Sequence, residues 1–178
     1  MKPMLKTLAL SVLAAFTFGA SARDGGPTDA QIAAIVVTAN QVDIDAGKLA
    51  ESRGQSKDVK DFAKLMVSDH GGVNKSATDL VQKLKVKPEP NDTSASLKKG
   101  GDDNIAKLKQ LKGAAFDKAY VNHEVEYHQA VIEALDKTLV PSADNAELKA
   151  LLVKVRPAFV AHLEHAKSLQ AQLGKTGG

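Results

Sequence analysis

Five side chains of metal-ligating type interrupt apolar stripes at helical spacing: Asp43, His70, Glu124, His128 and His162. Asp43 lies four residues after Ala39 and three before Ala46; His70 lies four after Met66 and three before Val73. Tyr120, Glu124, His128, Val131 and Leu135 step along one face, and so do Val155, Phe159, His162, Ala166 and Leu169. Steps of three and four keep residues on one side of a helix. Four amphipathic segments therefore each aim an acid or an imidazole at the interior. Burying such groups costs free energy unless they pair, hydrogen-bond or hold a metal. Imidazole and carboxylate donors together suit a single divalent Zn, Cu or Ni ion. The competing reading is a polar network in which Asp43 and Glu124 accept hydrogen bonds from the imidazoles and only fix the packing.

Axial levels agree in part. Asp43 and His70 lie 12 and 15 residues from Gln55 at the first corner, an offset of about 4.5 Å at 1.5 Å per residue. His128 and His162 lie 14 and 20 residues from Ser142, so Glu124, at 18, faces His162 better. Spacing alone does not gather all five residues into one site. His123 reads as solvated beside the core face and Met66 as packing; His165, one turn from His162, either assists it or sits exposed on the fourth helix. The adjacent pair Asp69-His70 suggests an acid orienting a base, but neighbouring helical residues point about 100° apart and rarely make that pair. No Ser or Thr stands as an obvious nucleophile. Gly25-Gly26, Gly71-Gly72 and Gly100-Gly101 do not sit between a strand and a helix, as a phosphate loop requires. No catalytic residue is assigned, and the reading leans away from an enzyme.

The elements that must position these residues are helices. From Thr28-Asp29, a cap signal, Ile32, Val36, Ala39, Ala46 and Ala50 form an amphipathic stripe that Gly54 ends. Ser56 caps a second helix with the stripe Val59, Phe62, Met66, Val73, Ala77, Leu80 and Leu84, running to about Lys87. Gly71-Gly72 weakens it by about 1 kcal/mol per glycine, which predicts a kink there or the close approach of another backbone. Pro88 to Ser96 reads as a polar loop, and Asp102–Lys112 as a short helix within the connection. A third long helix spans about Ala114 to Leu139, and a fourth about Ala143 to Leu173, with a kink or lost hydrogen bonding expected at Pro157. Two helical hairpins joined by a long link predict an all-α, ferritin-like four-helix bundle with one crossover; a plain up-down bundle is the alternative.

The first 22 residues read as an address. Lys2 and Lys6 precede an apolar run from Leu8 to Phe18, and Ala20-Ser21-Ala22 follows. A positive start, a short apolar centre and an Ala-x-Ala exit form a secretory signal cut after Ala22, too short for a membrane span of ~20 apolar residues. One helical-bundle domain, residues 23–178, is then expected in the periplasm or outside the cell, with no transmembrane segment. Removing two lysines and no acid takes the net charge from +3 to +1, which makes no electrostatic case for nucleic acid. The chain has no Cys and no Trp, and its aromatics are 4% of residues. Disulfides and thiolate sites are thereby excluded, and base-stacking platforms are disfavoured. No protein partner is legible.

Asp43-Ile-Asp-Ala-Gly-Lys-Leu-Ala50, Val59-Lys-Asp-Phe-Ala-Lys-Leu-Met-Val-Ser-Asp-His70, Phe116-Asp-Lys-Ala-Tyr120 with His128, and His162-Leu-Glu-His-Ala166 resemble the exported bacterial family catalogued as domain of unknown function 4142. The resemblance covers nearly all of the chain after residue 22. It implies a signal peptide and a ferritin-like bundle, and carries no established activity. His70, His128 and His162 match positions typical of the family, whose first-helix acid is usually Glu where this chain has Asp43. A predicted outer-membrane label often goes with the family, but no ten-residue alternating strands support it. A ferritin-type di-iron site needs Glu-x-x-His on two helices; Glu124-x-x-x-His128 has one residue too many and no counterpart, so ferroxidase chemistry is not implied. Three functions are consistent with this reading: a periplasmic bundle binding a transition metal or small ligand, an envelope-stress or interaction module with a structural polar core, and a metalloenzyme with an open coordination position.

Overall fold

The computed structural model describes residues 25–175; the signal expected at residues 1–22 lies outside them. Among the described residues there is no strand. Helix α1 (Asp29–Arg53) opens on a capping box in which Thr28 Oγ1 accepts from the Gln31 amide and the Gln31 side chain accepts from the Thr28 amide. Helix α2 (Lys57–Lys83) is capped from outside. The Ser56 side chain makes no cap bond. Asp117 does the work instead, accepting the Gln55 and Ser56 amides at 2.8 and 2.7 Å. Helix α3 (Asp92–Lys109) starts at a second capping box, Asn91 with Ser94. Helix α4 (Gly113–Ala134) runs on through a π-helical turn at Leu135–Leu139 and a last turn at Val140–Ser142. Helix α5 (Ala146–Lys175) begins where Asn145 Oδ1 accepts the Glu147 and Leu148 amides.

Long-range hydrogen bonds fix the topology. The Arg53 guanidinium donates to the carbonyls of Lys109 and Leu111 at 3.0 and 3.1 Å, so the end of α3 lies at the α1–α2 corner. Asp29 accepts the Asp144 and Asn145 amides at 3.0 Å each, so the start of α5 lies at the opposite end beside the start of α1. Helix α3 therefore carries the chain back along the bundle, and α4 starts at the same end as α2. This is the one-crossover, ferritin-like arrangement rather than the up-down alternative. No helix among the described residues is long and apolar enough to cross a membrane.

Several expected boundaries move. The crossover helix begins ten residues before Asp102, because the Asn91–Ser94 box nucleates it inside the stretch read as a loop. Helix α2 ends at Lys83 rather than Lys87, closing on a left-handed Lys85 with φ 55°. The fourth long helix starts at Ala146, three residues after the expected Ala143, because Asn145 supplies its cap. A Cβ on Gly71 or Gly72 would meet nothing within 4 Å, so no backbone approaches there. The close approaches are at Gly47, where a Cβ would stand 2.9 Å from Val67 Cγ2, and at Gly101, where it would stand 2.7 Å from both Val42 methyls. These two glycines let α2 and α3 pack tightly on α1. The carbonyl that Pro157 leaves without a donor belongs to Val153, which is 53% exposed, so water can donate to it.

The interior is apolar at both ends and polar in the middle. One cluster, with Phe62, Met66, Phe116, Tyr120 and Leu169, fills the end near the α1–α2 corner. The other, with Ile32, Ile35, Leu139, Leu152 and Phe159, fills the opposite end. Each fully buried side chain of this size stabilises the fold by roughly 1.5–3 kcal/mol, and these two apolar plugs hold the polar waist between them in place.

Candidate metal centre

All five inward residues named from the sequence meet at that waist. Asp43, His70, Glu124, His128 and His162 are each 3% exposed or less. One ligand atom each from His70, His128 and His162 lies within 4.8 Å of the others, and the same holds for Asp43, Glu124 and His128. The three imidazole centroids stand 5.3 to 5.5 Å apart. The axial offsets close because helical side chains lean towards the N-terminus of their own helix. Asp43 on α1 leans away from the Gln55 corner, while His70 on the antiparallel α2 leans towards it. His128 and His162 lean towards each other in the same way, on antiparallel α4 and α5.

Each imidazole has one nitrogen committed. Asn40 Nδ2 donates to the Val36 carbonyl at 2.8 Å, which turns Asn40 Oδ1 towards His70 Nδ1, 2.7 Å away. That nitrogen is therefore the donor. His128 Nδ1 donates to the Glu124 carbonyl at 3.0 Å, the i−4 position of its own helix. His162 Nε2 donates to Asp69 Oδ2 at 2.9 Å. The other nitrogens, His70 Nε2, His128 Nε2 and His162 Nδ1, are buried without a hydrogen-bond partner. His70 Nε2 lies 2.8 Å from Asp43 Oδ2, a short contact that is not aligned as a hydrogen bond. His128 Nε2 lies 3.6 Å from the same oxygen.

Burial sets the protonation. It would raise Asp43, but the three imidazoles around it outweigh that effect and hold its carboxyl below the ordinary value. Burial, reinforced by the charge of Asp43, pushes Glu124 well above the ordinary carboxylate range. Burial takes His128 down from 6.5 to about 4 and also lowers His162, against the pull of Asp69. The metal-free site near neutral pH thus has an ionised Asp43 and neutral rings at His128 and His162, and Glu124 is the acid whose charge burial disfavours most.

The sequence missed the residues that aim the rings. Asn40 lies three residues before Asp43 on the same face, a signal that was legible. Asp69 was discounted as a partner of His70, and correctly: it pairs with His162 across the bundle, a contact 93 residues apart in sequence. His123 is half-buried rather than solvated, its ring 5.7 Å from that of Tyr127 and its pKa lowered by burial. His165 is exposed, its ring edge-on to Phe62 at 4.9 Å. Of Phe116, Asp117 and Tyr120, the first and last are core and the middle one caps α2. That motif therefore builds the scaffold.

No curated protein and no solved structure matches the chain. A family profile does match, over residues 15–169, a span that holds every residue of the polar waist and the Asp117 cap. The chain belongs to the family described as domain of unknown function DUF4142.

Proposed function

We propose that this protein is an exported, periplasmic helical bundle that binds one divalent transition-metal ion of the zinc, copper or nickel type. His70, His128 and His162 are the nitrogen ligands, and Asp43 and Glu124 the oxygen ligands. One observation carries the reading: three imidazoles with centroids 5.3 to 5.5 Å apart each give one N–H to an outer acceptor, and their remaining nitrogens lie buried and unpartnered. Metal-bound histidines are oriented in this way, by an amide, carbonyl or carboxylate on the far nitrogen. Within the His70–His128–His162 set, and within the Asp43–Glu124–His128 set, the donors lie within 4.8 Å of one another, and the two sets share His128. A bound dication would balance Asp43 and favour the ionised form of Glu124, against the upward push of burial.

The polar-network reading draws on the contact of His70 with Asp43 at 2.8 Å and on a side-chain hydrogen bond between Glu124 and Asp43. It leaves His128 Nε2 and His162 Nδ1 without partners, at about 1–3 kcal/mol for each unsatisfied group. The metal reading satisfies all of them at once.

The test starts from mature protein stripped with a chelator and titrated with Zn(II), Cu(II) or Ni(II), read by calorimetry and elemental analysis. The expected result is uptake of one ion per chain, lost in His162→Ala. Uptake of none of the three ions by a folded wild-type chain overturns the reading. N-terminal sequencing of the native envelope fraction should begin at Arg23; a retained Met1 would refute the export.

A further inference from the structure

Beside His70 and His128 lies a cavity of about 640 Å³, within the roughly 300–1,000 Å³ of small-molecule sites. Its walls are apolar: Ile35 from α1, Val131 and Leu135 from α4, Leu139 from the π turn, and Val155 and Phe159 from α5. Its rim includes the exposed Gly25, Gly26, Asp92 and Thr93, and its inner end is Asn40, His70 and His128. Gln31 and Asn40 both line it and are nine residues apart on α1, so the space runs about 13 Å along the helix at 1.5 Å per residue. It is elongated, apolar along its length and polar at its inner end.

Two further observations mark it as more than a packing gap. Val131 and Val155 are only half-buried: each packs against the apolar cluster at this end and also lines this space. Part of the wall is the π-helical turn Leu135–Leu139, a rare geometry that recurs at functional sites. A polar substrate would gain nothing from these walls. An apolar molecule without a polar head would find no match for the polar inner end formed by Asn40, His70 and His128.

We propose that the cavity takes an unbranched aliphatic carboxylate, with the tail along the apolar walls and the head at the His70–His128 end. The head-group half rests on the metal reading, because the ionised Asp43 would repel an anion unless a bound dication offsets its charge. A single chain with a small head fits, since the head must travel the length of the cavity; a two-chain lipid does not.

Calorimetry with hexanoate, octanoate, decanoate and dodecanoate on the Zn(II)-loaded mature protein tests this. Affinity should rise by about fourfold per methylene until the cavity is filled. Filling the cavity with Val131→Phe, or with Val155→Phe on the facing helix should one variant fail to fold, should weaken dodecanoate binding at least tenfold while one Zn(II) per chain is still bound. Removing the metal should weaken it comparably. Dodecanoate binding that ignores chain length or both variants overturns the cavity site, and equal binding by the metal-free protein overturns the head-group placement. A protein that takes up no metal fails the preceding reading before any fatty acid is added, whereas a loaded protein indifferent to dodecanoate fails only this one.

Discussion

Acidifying the chelator-stripped protein from pH 7 to pH 4.5 should expose the cost of burying His128. Its folded pKa lies near 4, below the ordinary 6.5, because burial disfavours the imidazolium. With a depressed folded value, the unfolded chain binds the proton first. The stability that neutral His128 provides is therefore fully present above pH 6.5, falls as pH drops, and levels off below about 4. Between pH 7 and 4.5 the loss integrates to about 2.5 kcal/mol. Glu124 acts in the opposite sense over the same range. Its raised folded value means that acid relieves the cost of keeping its carboxyl buried, so the wild-type profile alone understates the His128 effect. Asp43, held low, begins to lose its stabilising contribution only below about pH 4 and stays out of the window. The measurement is urea unfolding of wild type and His128→Gln at both pH values. The wild type should lose about 2 kcal/mol more than the variant on acidification, whatever their offset at pH 7. Parallel profiles would refute the claim that His128 is held neutral by burial.

The other expectations are more local. Asp69→Asn keeps a hydrogen-bond acceptor for His162 but removes its charge; it should weaken metal binding by 10- to 100-fold with little effect on the metal-free fold, since Asp69 is 41% exposed. Zn(II) at about 100 times its Kd should stabilise the wild type by roughly 2.7 kcal/mol, a Tm rise of about 5–10 °C for a domain of this size; no rise in a protein that demonstrably binds Zn(II) would mean the site is not part of the folded core. Asp117→Ala strips both amides at the start of α2 of their acceptor and should cost about 2 kcal/mol by denaturant unfolding, with metal stoichiometry unchanged. Gly101→Ala forces a methyl against Val42 and should destabilise by about 1–3 kcal/mol; a neutral result would show that α3 can shift outward freely.

Local chemistry explains which features the sequence alone could yield. Helical period, the Thr28 cap, the Gly54 break and the single long link are written in neighbouring residues, so the class of fold and its one crossover were legible. So were the five inward residues, because an acid or imidazole inside an apolar stripe shows in a window of eight. The start of α3 was misread because Pro88 to Ser96 has a loop's composition, and only the Asn91–Ser94 box turns its second half into helix. The tight contacts at Gly47 and Gly101 involve partners on other helices, and nothing next to either glycine in sequence announces them.

The sequence by itself determined which residues would face inward, since periodicity is a property of one helix at a time. Whether they form one site was decided by tertiary structure. Antiparallel helices lean their side chains in opposite directions, which turned axial offsets that looked awkward in sequence into a converging cluster. The partners that fix each imidazole, Asn40 for His70 and Asp69 for His162, lie 30 and 93 residues away. Free nitrogens gathered in one buried waist exist only once four helices pack, because a lone pair has no direction until the other nitrogen of its ring is held.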